Sequence, residues 1–116
     1  MATNQSRENG RHLRVTPTEG AATSGAPGRI GQRPGVAEDD LGGDGLCTMD
    51  FGGVYKLAVG GVDQVGNSAV APGDILYFTN ADTPKINKKD TGVRFGYANG
   101  SVASAGTGTI EVVIGY

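Results

Sequence analysis

"GTGTIEVVIGY", residues 106–116, is the stretch that decides the fold class. Apolar residues stand at every even position from Ile110 to Tyr116, and the odd positions are mostly small or polar. A period of two sends alternate side chains to opposite faces of a strand, whereas a helix needs apolar residues three and four apart. The pattern predicts a strand over Thr109–Tyr116, with Ile110, Val112, Ile114 and Tyr116 inward and Glu111 in water. Val113 is the apolar residue left on the outer face. That position suits a contact between subunits.

The same alternation recurs upstream, between clusters of Gly, Pro, Asn and Asp, and helical periodicity is convincing nowhere. "RHLRVTP" (Arg11–Pro17) sets Leu13 and Val15 against His12 and Arg14. "GLCTMDFGGVYKLAV" (Gly45–Val59) sets Cys47, Met49 and Phe51 against Thr48 and Asp50. Gly52-Gly53 then marks a bulge or turn before a strand over Val54–Val59. "PGDILYF" (Pro72–Phe78) is apolar on both faces, which predicts cover on both faces. In "VRFGYANGSVA" (Val93–Ala103), Asn99-Gly100 is the preferred pair for a tight hairpin turn. Six to eight short strands without helices predict an all-β fold, a small barrel or sandwich. Residues 1–8 read as a short extended, flexible N-terminal arm, and residues 9–116 as a single β-rich domain.

Composition narrows the function. The 116 residues carry a net charge of −2 at a pI near 5.2, so no global charge points to nucleic acid or a membrane surface. No apolar run approaches the ~20 residues a membrane helix needs. The first twenty residues lack the apolar core of a secretory signal, and a single cysteine, Cys47, fits synthesis in a reducing cytoplasm. Leu, Ile, Val and Phe number only 24, alongside 21 glycines. That fraction lies close to the ~20% below which chains fail to fold, so the core is thin and help from partner subunits is expected. Charge is also divided. Residues 1–33 hold five Arg against Glu8 and Glu19, while the remainder holds five basic and ten acidic residues.

Catalytic chemistry finds little support. His12 is the sole histidine and lies in the Arg-rich entry segment, where an exposed strand residue is the simpler reading. Cys47 alternates with Met49 and Phe51 and reads as a small buried apolar residue. Within "AEDDLGGDG" (Ala37–Gly45), Asp40, Gly42, Asp44 and Gly45 imitate the start of a calcium loop, but the twelfth position from Asp40 is Phe51 where a Glu is required. A solvated acidic loop fits it better. "KINKKD" (Lys85–Asp90) lacks interleaved aromatics and reads as a polar loop or edge segment rather than a nucleic-acid patch. No metal, cofactor or enzymatic activity is expected.

Taken in order, "ENGRHLRV" (Glu8–Val15), "PGRIGQRPGVA" (Pro27–Ala37), "GGVYKL" (Gly52–Leu57), "PGDILYF", "FGYANG" (Phe95–Gly100) and "TIEVVIGY" (Thr109–Tyr116) resemble the capsid cement, or head decoration, proteins of tailed bacteriophages. The resemblance covers nearly the whole chain, from about residue 9 to 116. The resemblance implies a structural protein on the outer capsid surface of the virion, which stabilises a mature head by bridging neighbouring major capsid subunits. It also implies a homo-oligomer, a trimer, whose N-terminal arm reaches onto the shell. Arg7, Arg11, His12 and Arg14 would be the capsid-binding residues of that arm. The alternative is a β-sandwich carbohydrate-binding module on a phage or bacterial surface, though the chain has no Trp for a glycan platform.

Overall fold

The computed structural model describes residues 11–115, and among them ten strands and no helix occur. The strands fall into two sheets. The first half of the chain supplies β1 (His12–Val15), β2 (Glu19–Gly20), β3 (Pro27–Ile30), β4 (Arg33–Ala37) and β5 (Cys47–Asp50). These form an open antiparallel sheet in the order β1-β5-β4-β3-β2. The second half supplies β6 (Val54–Asp63), β7 (Ile75–Phe78), β8 (Ile86–Lys88), β9 (Val93–Ala98) and β10 (Thr107–Ile114). They close into a five-stranded barrel, β10-β6-β8-β7-β9, in which β6 and β8 are parallel and the other neighbours antiparallel. Closure removes the exposed edges that a short all-β chain otherwise leaves open to aggregation.

The all-β class is as the alternation predicts, and β10 follows the quoted stretch. Val112 and Ile114 are buried, Ile110 packs against the same cluster, and Glu111 is exposed. Tyr116 lies outside the described residues. The barrel is filled by Leu57, Val59, Leu76, Phe78, Ile86, Phe95 and their neighbours. A second, smaller cluster under the open sheet gathers Ala21, Ala37, Cys47, Met49 and Phe51, with Leu13, Val15 and Ile30 against it. The two strand sets meet where β4 lies against β9 and β3 against β7, and Val36 of β4 belongs to the barrel's cluster.

Four local expectations are corrected. "KINKKD" is neither loop nor edge: β8 sits inside the barrel between β6 and β7, with Ile86 and Asn87 buried. Its lysines mask it because they point outward, Lys88 to Asp74 and Lys89 to Asp82. Asn99-Gly100 is a bend rather than a two-residue hairpin turn, and β9 reaches β10 through residues 99–106. Asn99 is tied to Glu111 by its amide nitrogen (2.8 Å) and its side chain (2.9 Å), and Val102 bridges to Val70, so the reversal falls at Ser104-Ala105 instead. Strand β7 buries Leu76 and Phe78 but leaves Ile75 37% exposed, because its second face is the outer wall of the barrel. Asp50, on the polar face of β5, is 1% exposed.

Candidate functional site

Asp50 is the most confined charge among the described residues, and the segment around β1 is built against it. Arg11 directly precedes β1, whose His12 faces Asp50 across the ladder. The Arg11 guanidinium donates twice to the carboxylate, at 2.8 and 3.1 Å, the forked geometry that suits arginine to this task. The Tyr55 hydroxyl on β6 donates to it as well, and the Gly52 amide donates at 3.1 Å. Burial alone would raise the Asp50 pKa. The Arg11 and Tyr55 hydrogen bonds, with the Gly52 amide, outweigh it and hold the group at about 2. Burial and the adjacent carboxylate push the Tyr55 phenol up to about 12.

Gly53, the second glycine after Phe51, is what lets Arg11 reach across. Gly53 has φ +89°, and a Cβ there would run into the Arg11 guanidinium. Only glycine offers both the left-handed backbone and the space.

A second layer of charge lies beside this knot. His12 Nδ1 is 2.9 Å from Glu38 Oε2, and Arg14 lies 3.6 Å from Asp39 and 3.4 Å from Asp44. The acidic insert between β4 and β5 is itself folded back. Asp39 accepts from the Thr48 amide, Asp40 from the Ser24 amide and Asp44 from the Leu46 amide. Exposed pairs of this kind are screened by water and contribute little, so their effect is to orient the insert more than to stabilise the fold.

The structure therefore places three of the four predicted capsid-binding residues, Arg11, His12 and Arg14, in a seam with the chain's own acidic residues. Arg7 lies outside the described residues. Sequence reading separated a basic entry from an acidic loop because they are more than twenty residues apart. They meet because β1 and β5 are antiparallel neighbours, and their opposite charges were the one available signal.

The chemistry of this seam is structural. His12, Glu38 and Asp50 bring possible metal ligands within 4.8 Å of one another. A cation there would have to displace Arg11 and Tyr55 from Asp50, so the donor set suits a guanidinium rather than a metal. Cys47 is buried, its thiol 3.6 Å from the Ala21 carbonyl, and burial raises its pKa, which keeps it protonated and inert. Among the described residues every aromatic side chain is buried or half-buried.

Val113, the predicted subunit contact, is 38% exposed on the outer wall of the barrel. It stands directly opposite Val54 on β6 and Tyr97 on β9. Among the described residues no helix is long and apolar enough to cross a membrane. A family model described as phage cement protein matches residues 7–114, nearly the whole chain. No curated protein and no solved structure matches it significantly.

Proposed function

The chain belongs to the phage cement protein family, and from that premise we propose that it binds the outside of a mature tailed-phage head and bridges neighbouring major capsid subunits. The family assigns a structural role at the virion capsid. The bridging, the trimeric state and the contact residues are the finer parts of the proposal. The single observation that carries it is the extent of the match, which begins ahead of β1 and ends at the last residue of β10, so that it spans both sheets. A knot around Asp50 that anchors the entry of the chain is consistent with an arm that bears load. Arg7 is the proposed capsid contact within that arm, while Arg11, His12 and Arg14 hold the arm's root to the body.

The test is co-sedimentation with undecorated mature heads, paired with thermal disruption of those heads. Binding that saturates at a fixed ratio to capsid subunits, with a higher disruption temperature, is the expected result. Removal of residues 1–8 should leave the melting temperature of the free protein unchanged and reduce binding, and Arg7→Glu should reduce it in a salt-dependent way. Failure of the full-length protein to sediment with heads would overturn the proposal.

A further inference from the structure

Asn99 is exposed in a bend just past the end of β9, and Gly100 follows it. The fold depends on both residues. Asn99 fastens the strand end to β10, its amide donating to the Glu111 carbonyl at 2.8 Å and its side-chain nitrogen to Glu111 Oε1 at 2.9 Å. Gly100 lies against Ile110, where an added Cβ would stand 2.9 Å from the Ile110 Cβ, so glycine is required there. The Gly100 amide, however, donates to no acceptor among the described residues. An asparagine side-chain carbonyl therefore stands next to a main-chain nitrogen that no Cβ shields and no hydrogen bond holds.

The other asparagines among the described residues lack this combination. Asn87 is 1% exposed within β8, donating to Asp82 and accepting from the Lys89 amide, each at 3.0 Å. Asn67 bridges to Val62, and the Gly61 carbonyl holds the amide of the following Ser68 at 2.9 Å. Asn80 is exposed, but Ala81 follows it and its Cβ crowds the nitrogen.

We propose that Asn99 is a site of spontaneous modification, where loss of ammonia and uptake of water yield aspartate and isoaspartate and loosen the seam between β9 and β10. The Gly100 nitrogen gives up its proton and bonds to Asn99 Cγ. The Cγ–Nδ2 bond breaks, and the side-chain nitrogen leaves as ammonia with that proton. Water then opens the five-membered imide that remains. Cleavage at Cγ restores the main chain with an aspartate, whereas cleavage at the main-chain carbonyl carbon routes the chain through Cβ and Cγ as isoaspartate. Either product loses the amide that donated to Glu111, gains a carboxylate beside it and adds one negative charge to a chain of net charge −2. Isoaspartate also lengthens the main chain by one carbon between two fixed points. These are the Asn99 amide on the Glu111 carbonyl and the reciprocal Val70–Val102 hydrogen bonds, at 2.8 and 3.0 Å. The longer path strains one or the other, and residues 99–106 are the connection that brings β10 back onto β9.

The test is ageing of the folded protein for several days at mildly alkaline pH. An Asn9→Gln background removes the chain's other Asn-Gly pair, which lies outside the described residues. Relative to unaged protein, the tryptic peptide Phe95–Tyr116 should gain the mass of one deamidation and accept methyl groups from an isoaspartyl methyltransferase. Peptides that carry Asn67, Asn80 and Asn87 should stay unchanged. Asn99→Gln should suppress both signals, because glutamine would have to close a six-membered ring. The isoaspartyl fraction, resolved by anion exchange, should melt about 3 °C or more below unaged protein. Asn99→Asp, which carries the charge without the extra main-chain atom, should melt between the two. Conversion of that peptide in the urea-unfolded chain but not in the folded protein would mean that the Glu111 anchor protects Asn99, and overturns the inference. An isoaspartyl fraction that melts together with unaged protein overturns it as well.

Discussion

Val112 and Glu111 are adjacent in sequence and opposite in environment, one wholly buried and the other exposed. Val112→Asp would place an unpaired carboxylate in the barrel and should cost about 3 kcal/mol or more, while Glu111→Ala should stay within about 0.5 kcal/mol of wild type. Equal melting temperatures for the two would contradict the assigned faces of β10. Asp50 shows the limit of the same reasoning. Alternation says which side of a strand a residue faces, but not what covers that side, and nothing in "CTMDF" announces that Arg11 and Tyr55 close over it. Its pH signature is specific. The folded pKa, about 2, lies below the ordinary 3.8, so the unfolded chain takes up the proton first as pH falls. The stabilisation is complete above about pH 4 and is lost as pH drops through about 2, amounting to roughly 2 kcal/mol. Urea unfolding at pH 6 and pH 2 should show a larger acid loss for wild type than for Asp50→Asn. Identical losses would remove Asp50 from the explanation.

Strands that alternate cleanly were legible, and strands defined by what surrounds them were not. β10, β1 and β5 could be read because one face is apolar and the other polar. β8 could not, since it is three residues long and flanked by lysines, and only the neighbouring β6 and β7 turn Ile86 into core. Ile86→Ala should therefore cost about 2–5 kcal/mol, as for other large core residues, whereas a loop residue would cost little. Guanidinium titration of that variant decides between the two. The glycine turns divide in the same way. Gly53→Ala meets both a left-handed φ and the Arg11 guanidinium, so it should destabilise by more than about 1 kcal/mol. Gly66 has open space and no such φ, and Gly66→Ala should be neutral or stabilising by about 0.4–1 kcal/mol. Both glycines look alike in sequence. The charged seam was half legible: the two charge clusters stood out, but their meeting depends on a strand pairing that charge counts do not reveal.

At the scale of the molecule, an open sheet and a closed barrel must act as one body if load applied at the arm is to reach the outer wall. The barrel's cluster takes eleven of its twelve buried residues from residue 57 onward and one, Val36, from the open sheet. Tyr55 adds a polar tie from β6 to Asp50, and the Ile114 amide donates to the Gly53 carbonyl at 2.9 Å, fastening the end of β10 to the hinge between the sheets. These ties act alongside the packing of β4 on β9 and of β3 on β7, and all of them cross the same junction. Wild-type protein should unfold in one transition, with far-UV circular dichroism and tyrosine fluorescence coincident. Tyr55→Phe removes a hydrogen bond to a charged group, worth about 1.5–3 kcal/mol, and Val36→Ala opens a small cavity between the layers. Because both changes loosen the same junction, the double variant should depart from additivity and separate the two probes, the open sheet melting first. Limited proteolysis below that temperature should then cut within residues 11–51 while the barrel persists. A double variant that still melts in one coincident step, with additive losses, would mean that the junction is held by the backbone path through Phe51, Gly52 and Gly53 rather than by these side chains.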